Sequence, residues 1–260
     1  MSQYTKNFFD LQKDASYTSA KAVVPIVIDL IHPKGVVDVG CGVGTWLAVF
    51  KELGVEDILG VDGIWVEKEQ LFIPKELFTP RDLEKPFSIN KKADLVVCLE
   101  TAEHVSDAAA EGLIESLRKI APAVLFSAAI PLQEGVHHVN EQWPGYWVQR
   151  FKKHGYIPVD CIRRKVWENK DVRFFYAQNT FVFVDERHLE RFPKLKEEVA
   201  HGNGNALPLV HPEKYLQAIE RYHALLPFLK LVPAPLKRFI GKYLRDFRKK
   251  KLKTEFNSVA

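Results

Sequence analysis

Two short stretches of the chain hold residues whose types and spacing suit proton transfer. His104 follows one apolar run of the β-strand type, and His137 and His138 follow a later one. An imidazole can take a proton from a hydroxyl group near neutral pH. The sequence therefore predicts a site that activates a hydroxyl nucleophile, with these three histidines as the candidate catalytic residues.

A bound divalent cation is a second interpretation of the same stretches. Glu103 and His104 stand three and four positions after Glu100, which groups the three side chains if this turn is helical. With His138 or His137 they would offer two carboxylates and two imidazoles, and they would leave positions open for two substrate oxygens. The base and the metal interpretations both remain open from the sequence.

Among the elements that must position these residues, a glycine-rich turn has the most specific sequence pattern. Residues 36–39 form a short β-branched run, and Gly40, Gly42 and Gly44 follow it before an apolar helix pattern. A strand, a glycine turn and a helix in this order form the nucleotide-binding arrangement of doubly wound α/β folds. Thr45 stands where a dinucleotide fingerprint has its third glycine, so the turn departs from that motif.

An acidic residue at the end of the second predicted strand suits a ribose. Asp62 lies eighteen residues beyond Gly44, close to the ~20 residues at which an acid meets ribose hydroxyls in such folds. A carboxylate there can accept hydrogen bonds from both hydroxyl groups. We therefore expect Asp62 to bind the ribose of a nucleoside cofactor.

The rest of the pattern predicts a sheet whose strands alternate with helices. A helix is predicted over residues 18–31, and residues 160–166 continue a strand that begins at 156. Because ligands of open α/β sheets bind at the carboxyl ends of the strands, the histidines and the glycine turn are expected at one edge. The predicted strands are 36–39, 57–62, 77–79, 94–99, 123–128, 156–166 and 180–184, and the last two form an antiparallel hairpin.

Composition limits the class of protein. The 260 residues are 47% hydrophobic, which allows one large α/β domain with an appendage. No apolar run approaches the ~20 residues that span a bilayer, and the N-terminus lacks a secretory signal pattern. Cys41, Cys98 and Cys161 show no C-x-x-C spacing, which argues against a disulfide framework or a zinc site. We therefore expect a cytoplasmic protein.

Positive charge is concentrated near the C-terminus. The net charge is +4, but nine basic residues and one acidic residue fall between Lys237 and Lys253, which leaves 28 basic and 32 acidic residues elsewhere. Apolar residues recur at helical spacing in the same segment, a pattern typical of an interfacial helix on an anionic membrane surface. A helix packed on the core is an alternative. A basic run would also attract nucleic acid, but the rest of the chain shows no comparable basic pattern for binding it.

The string VVDVGCGVGTW resembles motif I of the class I S-adenosylmethionine (SAM)-dependent methyltransferases. GVDG, CLETAEHV, FSAAIP, HHVNEQWPGYW and AQNTFVFV extend the resemblance, over about residues 16–185, to uncharacterised bacterial methyltransferases found with cell-surface polysaccharide genes. The resemblance implies an α/β, doubly wound, Rossmann-like seven-stranded sheet with a reversed terminal hairpin strand, and SAM as cofactor. The cofactor-binding residues expected on this basis are Asp38, Gly40, Cys41, Gly42, Gly44, Asp62, Gly63, Asp82 and Glu100.

The E-x-x-E-H string resembles the metal site of the small-RNA 3′-terminal 2′-O-methyltransferases. A similar string occurs in ubiquinone-pathway O-methyltransferases, and many class I methyltransferases carry it with no metal established. The candidate metal ligands are Glu100, Glu103, His104 and His138.

An aromatic stretch follows the later histidines and provides candidates for acceptor binding. Asn140, Trp143 and Tyr146 could contact a sugar or base face, whereas Trp147 and Phe151 share a helix face that suits the core.

The predicted organisation has three parts: a weakly structured lead-in over residues 1–17, a methyltransferase domain over 18–185, and a helical, basic C-terminal extension over 186–260. The predicted function is SAM-dependent O-methylation of a sugar hydroxyl in a cell-surface glycan or in its nucleotide- or lipid-linked precursor. The alternatives are a metal-dependent RNA 2′-O-methyltransferase and a non-catalytic, membrane-associated SAM-binding scaffold.

Overall fold

The computed structural model describes residues 6–203, 208–231 and 233, and the side chains of 6–14, 203 and 225–231 lie outside this description. The chain divides into two compact units, Met1–Leu209 and Val210–Ala260. The first unit contains all of the predicted site residues. Within the second, one helix over residues 212–231 is described, whereas the basic segment from Lys237 to Lys253 and its predicted interfacial helix lie outside the described residues.

The first unit is built on a seven-stranded mixed sheet. Its strands are arranged in the order β3-β2-β1-β4-β5-β7-β6. All neighbours pair in parallel except β7, which runs antiparallel to both β5 and β6. This arrangement confirms the predicted Rossmann-like fold with a reversed strand in its terminal hairpin. The strands are β1 Gly35–Val39, β2 Asp57–Asp62, β3 Phe78–Pro80, β4 Leu95–Leu99, β5 Ala123–Ser127, β6 Tyr156–Val159 and β7 Phe181–Asp185.

Helices cover both faces of the sheet, as the continuously apolar strands require. Every residue of β1, β4, β5 and β7 is buried, which is typical of strands that are packed on both faces. One core contains residues of α1 and α2, and the other contains residues of α3 and α4. The helices are α1 Lys6–Ile31, α2 Thr45–Glu52, α3 Asp107–Ile120, α4 Pro144–Lys153, α5 Arg163–Val166, α6 Phe174–Asn179, α7 Pro193–Glu198 and α8 Pro212–Leu231.

The first helix begins earlier than predicted. It starts at Lys6, so most of the segment predicted as a weakly structured lead-in is helical. The sequence has no glycine or proline between Lys6 and Pro25 to end the helix. The expected boundary at residue 18 therefore lies inside α1.

The sixth strand ends earlier than predicted, because a buried charge makes the chain turn. β6 ends at Val159, and α5 occupies Arg163–Val166, the last four of the residues expected to continue it. The Arg163 guanidinium is almost fully buried and pairs with the Asp160 carboxylate, with Nε 2.9 Å from Oδ1. It also donates to the Gln178 carbonyl at 3.2 Å and lies over the Phe181 ring. A buried arginine needs such partners, and the turn after β6 places the guanidinium among them.

No helix of the described residues is long and apolar enough to pass through a lipid bilayer.

Candidate active site

The glycine turn lies at the carboxyl end of β1 and is packed closely against the turn after β4. Gly40 has a φ of 82°, and a Cβ atom there would lie 2.1 Å from Thr101 Oγ1. Only glycine fits this close approach in a left-handed conformation. A Cβ atom at Gly42 would meet nothing within 4 Å, so the outer side of the turn has room for a ligand.

Asp62 joins the end of β2 to this turn. Its Oδ2 accepts a hydrogen bond from the Gly42 N–H at 2.7 Å, and its Oδ1 accepts one from the Gly63 N–H at 2.6 Å. Burial raises the pKa of the carboxyl, and the two N–H groups oppose that rise. The carboxylate therefore stands beside the glycine turn, at the place expected for a ribose contact.

The other expected cofactor residues differ in their surroundings. Asp38 is buried in β1, and burial raises its pKa well above the usual range. Cys41 is a free, buried thiol whose pKa is likewise raised by burial. Asp82 is exposed beyond β3, where a hydrogen bond from Lys85 lowers its pKa and Oδ1 accepts from the Glu84 N–H at 3.1 Å.

Glu100 is enclosed by amide side chains that the sequence analysis did not assign to the site. Gln133 Nε2 donates to its Oε2 at 2.6 Å, and Asn179 Nδ2 donates to its Oε1 at 3.1 Å. Gln178 Nε2 donates in turn to Asn179 Oδ1 at 2.9 Å. Burial raises the Glu100 pKa to about 7. The sequence could have placed Gln178 and Asn179 near Glu100, because the predicted reversed direction of β7 puts the start of that strand at the edge where β4 and β5 end.

Glu103, His104 and His138 form a compact group that we call the histidine cluster. The His104 and His138 rings meet edge to face, with centroids 4.9 Å apart, and His138 Nε2 lies 4.0 Å from Glu103 Oε1. Glu103 is fully buried, and neither of its carboxylate oxygens has a hydrogen-bond partner within the described part of the chain. Burial raises the Glu103 pKa well above the usual range.

His104 is held as a neutral imidazole. Burial, reinforced by the neighbouring His138, lowers its pKa to about 4. Its Nδ1 lies 3.3 Å from the carbonyl oxygen of His137, so Nδ1 carries the proton and the Nε2 lone pair stays available. His137 supplies this backbone carbonyl, while its own side chain is exposed. The structure thus brings His104 and His138 together and leaves the His137 imidazole outside the cluster.

The cluster also fits a divalent cation. One ligand atom from each of its three residues lies within 4.8 Å of the others, and one carboxylate with two imidazoles suits a metal of intermediate hardness. The buried, unpartnered Glu103 carboxylate is the donor that such an ion would satisfy. Glu100, the fourth expected ligand, lies outside this group, because its oxygens accept hydrogen bonds from Gln133 and Asn179.

The expected acceptor-binding residues lie at the start of α4. Asn140 is buried and its Nδ2 donates to the Tyr146 hydroxyl at 3.3 Å. That hydroxyl donates to Asp107, and burial with this carboxylate raises the Tyr146 pKa to about 12. Arg150 stacks on the Tyr146 ring at 3.4 Å. Trp143 is half-buried immediately before α4.

Trp147, which was expected in the core, is buried against Phe126.

Comparisons with known proteins bear on the family and the fold of the chain. A family model described as a methyltransferase domain matches residues 12–169. No curated protein matches the chain. Among solved structures, TnmH is similar with a TM-score of 0.50 and 15% identity, over 69% of this chain and 58% of TnmH. Human N-acetylserotonin methyltransferase in complex with SAM has a TM-score of 0.49 and 15% identity, over 68% of this chain and 55% of its own.

The methyltransferase domain of bacterial CtHen1 is similar with a TM-score of 0.46 and 18% identity, over 64% of this chain and 97% of that domain. The chain thus spans little more than half the length of the first two structures. At 15% identity, the similarity to TnmH shows a shared fold.

Proposed function

The chain belongs to the methyltransferase-domain family, whose members take their methyl group from SAM, and we propose that it transfers this methyl group to a hydroxyl oxygen of a sugar. The acceptor we propose is a cell-surface glycan, or its nucleotide- or lipid-linked precursor. The observation that carries the proposal is the histidine cluster at the carboxyl ends of β4 and β5, next to the glycine turn after β1.

The cofactor side of the site is supplied by the turn after β1 and the end of β2. Gly40 and Gly44 let the turn pack against Thr101 and Ile73, Gly42 leaves room for the methionine part of SAM, and Asp62 would accept hydrogen bonds from the ribose hydroxyls. Asp82, beyond the neighbouring β3, is the candidate for the adenine side. When bound, SAM supplies a sulfonium-activated methyl group, so the protein must mainly align the acceptor with it.

The acceptor hydroxyl needs to lose its proton, and the cluster suits this task. His104 is neutral at physiological pH because burial lowers its pKa to about 4. Nε2 of His138, or that of the neutral but weakly basic His104, can accept the hydroxyl proton within hydrogen-bonding reach. Asn140 and Tyr146 add polar and aromatic groups suited to a sugar face.

Transfer of labelled methyl groups tests the proposed acceptor class. The protein would be incubated with methyl-labelled SAM and separate fractions of bacterial glycans, lipids and RNA. We expect label in glycan or in a lipid- or nucleotide-linked sugar, as an alkali-stable methyl ether. Label confined to RNA would replace the sugar acceptor with the RNA alternative, and turnover with any acceptor would reject a non-catalytic scaffold.

A metal-dependent reaction, as in RNA 2′-O-methylation, is a second candidate because Glu103 has two unpartnered oxygens beside two imidazoles. A cation held by Glu103, His104 and His138 would bind acceptor oxygens and lower the pKa of the hydroxyl. Chelation followed by addition of Mg²⁺, Mn²⁺ or Zn²⁺ separates the two readings. Activity that is insensitive to chelation would leave the histidines as bases, whereas metal-restored activity would assign them as ligands.

The basic segment supports a membrane-associated location for the enzyme. Each basic residue near an anionic surface contributes about 1 kcal/mol, and nine lie between Lys237 and Lys253. The intact protein should therefore float with anionic vesicles at low salt and dissociate at high salt. A protein truncated before Pro233 should lose this binding, and equal binding by both forms would contradict the anchor.

A further inference from the structure

The loop between β5 and α4 is held in a sterically unfavourable conformation. Leu132, Glu134 and His137 have φ angles of 68°, 64° and 61°. Non-glycine residues rarely adopt this left-handed region, and such outliers persist only where the surrounding structure holds them. Three such residues within six positions indicate that contacts with the surrounding structure hold the loop in this conformation.

Glu141 is the residue that holds the loop in this shape. Its Oε2 accepts a hydrogen bond from the Leu132 N–H at 2.7 Å, and its Oε1 accepts one from the Glu134 N–H at 2.7 Å. The same Oε1 lies 3.0 Å from His138 Nδ1. One carboxylate therefore closes the loop and also orients the His138 ring.

Gly135 leaves the space that the His138 ring occupies. A Cβ atom at position 135 would lie 2.1 Å from His138 Nε2 and 2.4 Å from its Cε1. The φ angle of Gly135 is outside the left-handed region, so an alanine would be strained by the ring alone. Two separate features of the loop thus fix one imidazole.

We infer that Gly135 and Glu141 are positioning residues that hold His138 with its proton on Nδ1 and its Nε2 lone pair toward Glu103. The hydrogen bond to the Glu141 carboxylate sets this tautomer, because a carboxylate accepts and Nδ1 must then donate. Only this tautomer leaves Nε2 free to take a hydroxyl proton or to bind a cation. The inference rests on the proposed role of the histidine cluster, and it selects His138 over its neighbour His137.

Gly135→Ala tests the packing, with Gly145→Ala as the matched control. A Cβ atom at Gly145 meets nothing within 4 Å and its φ is likewise unstrained. We expect Gly135→Ala to lower the melting temperature and to reduce turnover at least about 10-fold, and Gly145→Ala to leave both near wild type. In a His138→Ala background, Gly135→Ala should be nearly silent because the clashing ring is gone. Equal damage in both backgrounds would overturn the packing argument.

Nitrogen NMR of the His138 ring tests the tautomer without an activity assay. Two-bond proton–nitrogen correlations should show the wild-type proton on Nδ1, and Glu141→Gln should shift the ring toward a mixture of tautomers. Glu141→Gln should also lower kcat more than it raises KM. A wild-type ring protonated on Nε2 would refute the inference. A fixed Nδ1 proton together with full turnover by His138→Ala would instead uphold the positioning and refute the proposed catalytic role.

Discussion

Replacement of Asp62 by alanine should weaken SAM binding by a predictable amount. The carboxylate accepts the Gly42 and Gly63 N–H groups at 2.7 and 2.6 Å, and its remaining lone pairs are available to the ribose hydroxyls. A hydrogen bond to a charged acceptor contributes about 1.5–3 kcal/mol. Loss of the ribose contact therefore corresponds to a decrease in affinity of ~10–100-fold.

Calorimetric titration with SAM measures this loss, and Asp57→Ala provides a matched control. Asp57 is the first residue of β2, whereas Asp62 is the last, and its exposed carboxylate pairs with Lys91 at the opposite edge of the sheet. We expect Asp57→Ala to bind SAM as the wild type does. The same two variants titrated with adenosine and with 2′,3′-dideoxyadenosine separate a ribose contact from a distorted turn.

If Asp62 binds the ribose, Asp62→Ala weakens the binding of adenosine but not that of the dideoxy analogue, which lacks both hydroxyl groups. Unchanged SAM affinity in Asp62→Ala would refute the assignment outright. An equal loss for both nucleosides would show that the carboxylate only holds the glycine turn, through its contact with Gly42.

Three further predictions concern acid stability, acceptor binding and folding. Burial lowers the folded-state pKa of His104 to about 4, below the ordinary histidine value of 6.5, so its contribution to stability is present above pH 6.5 and is lost as pH falls toward 4. The shift corresponds to about 3 kcal/mol at most. Urea titration should therefore show a smaller fall in unfolding free energy between pH 7 and 4 for His104→Asn than for the wild type. An equal fall in both proteins would contradict this. Tyr146→Phe should raise the acceptor KM with SAM affinity unchanged, because the Asn140 Nδ2 loses its hydrogen-bond acceptor, and a steady-state KM equal to wild type would argue against this contact. Arg163→Met should lower the unfolding free energy by about 3–5 kcal/mol, because it leaves the buried Asp160 carboxylate without its charged partner. Arg164 is exposed, so Arg164→Met should change the unfolding free energy little. Similar values for both variants would be inconsistent with a buried pair.

Features encoded by short stretches of the chain were predictable from the sequence. The β1 strand and the glycine turn lie within a dozen residues, and their apolar run, spacing and placement before α2 follow from local conformational rules. The family match and the sheet order confirm the methyltransferase domain, its SAM cofactor and its fold. The position of Asp62 beside this turn follows from the same pattern, because parallel strands end at one edge.

Features that depend on contacts between distant segments were not predictable. The Glu100 carboxylate is bound by Gln133 and Asn179, which lie 33 and 79 positions further along the chain. No local pattern marks such a network. The early end of β6 likewise depends on where the Arg163 guanidinium is buried.

The sequence could not choose between the adjacent His137 and His138. The choice depends on the conformation of one loop, which Glu141 holds through two backbone N–H groups and one imidazole. Backbone strain at three non-glycine residues is visible only in the structure.

The structure of a complex with S-adenosylhomocysteine, the demethylated product of SAM, would show where the ribose and the sulfur lie. We predict that the ribose lies on the Asp62 carboxylate and that the sulfur faces His104 and His138 across a gap that holds one methyl group and one acceptor hydroxyl. A ribose bound away from Asp62, or protein atoms filling the space between the sulfur and the histidine cluster, would contradict it.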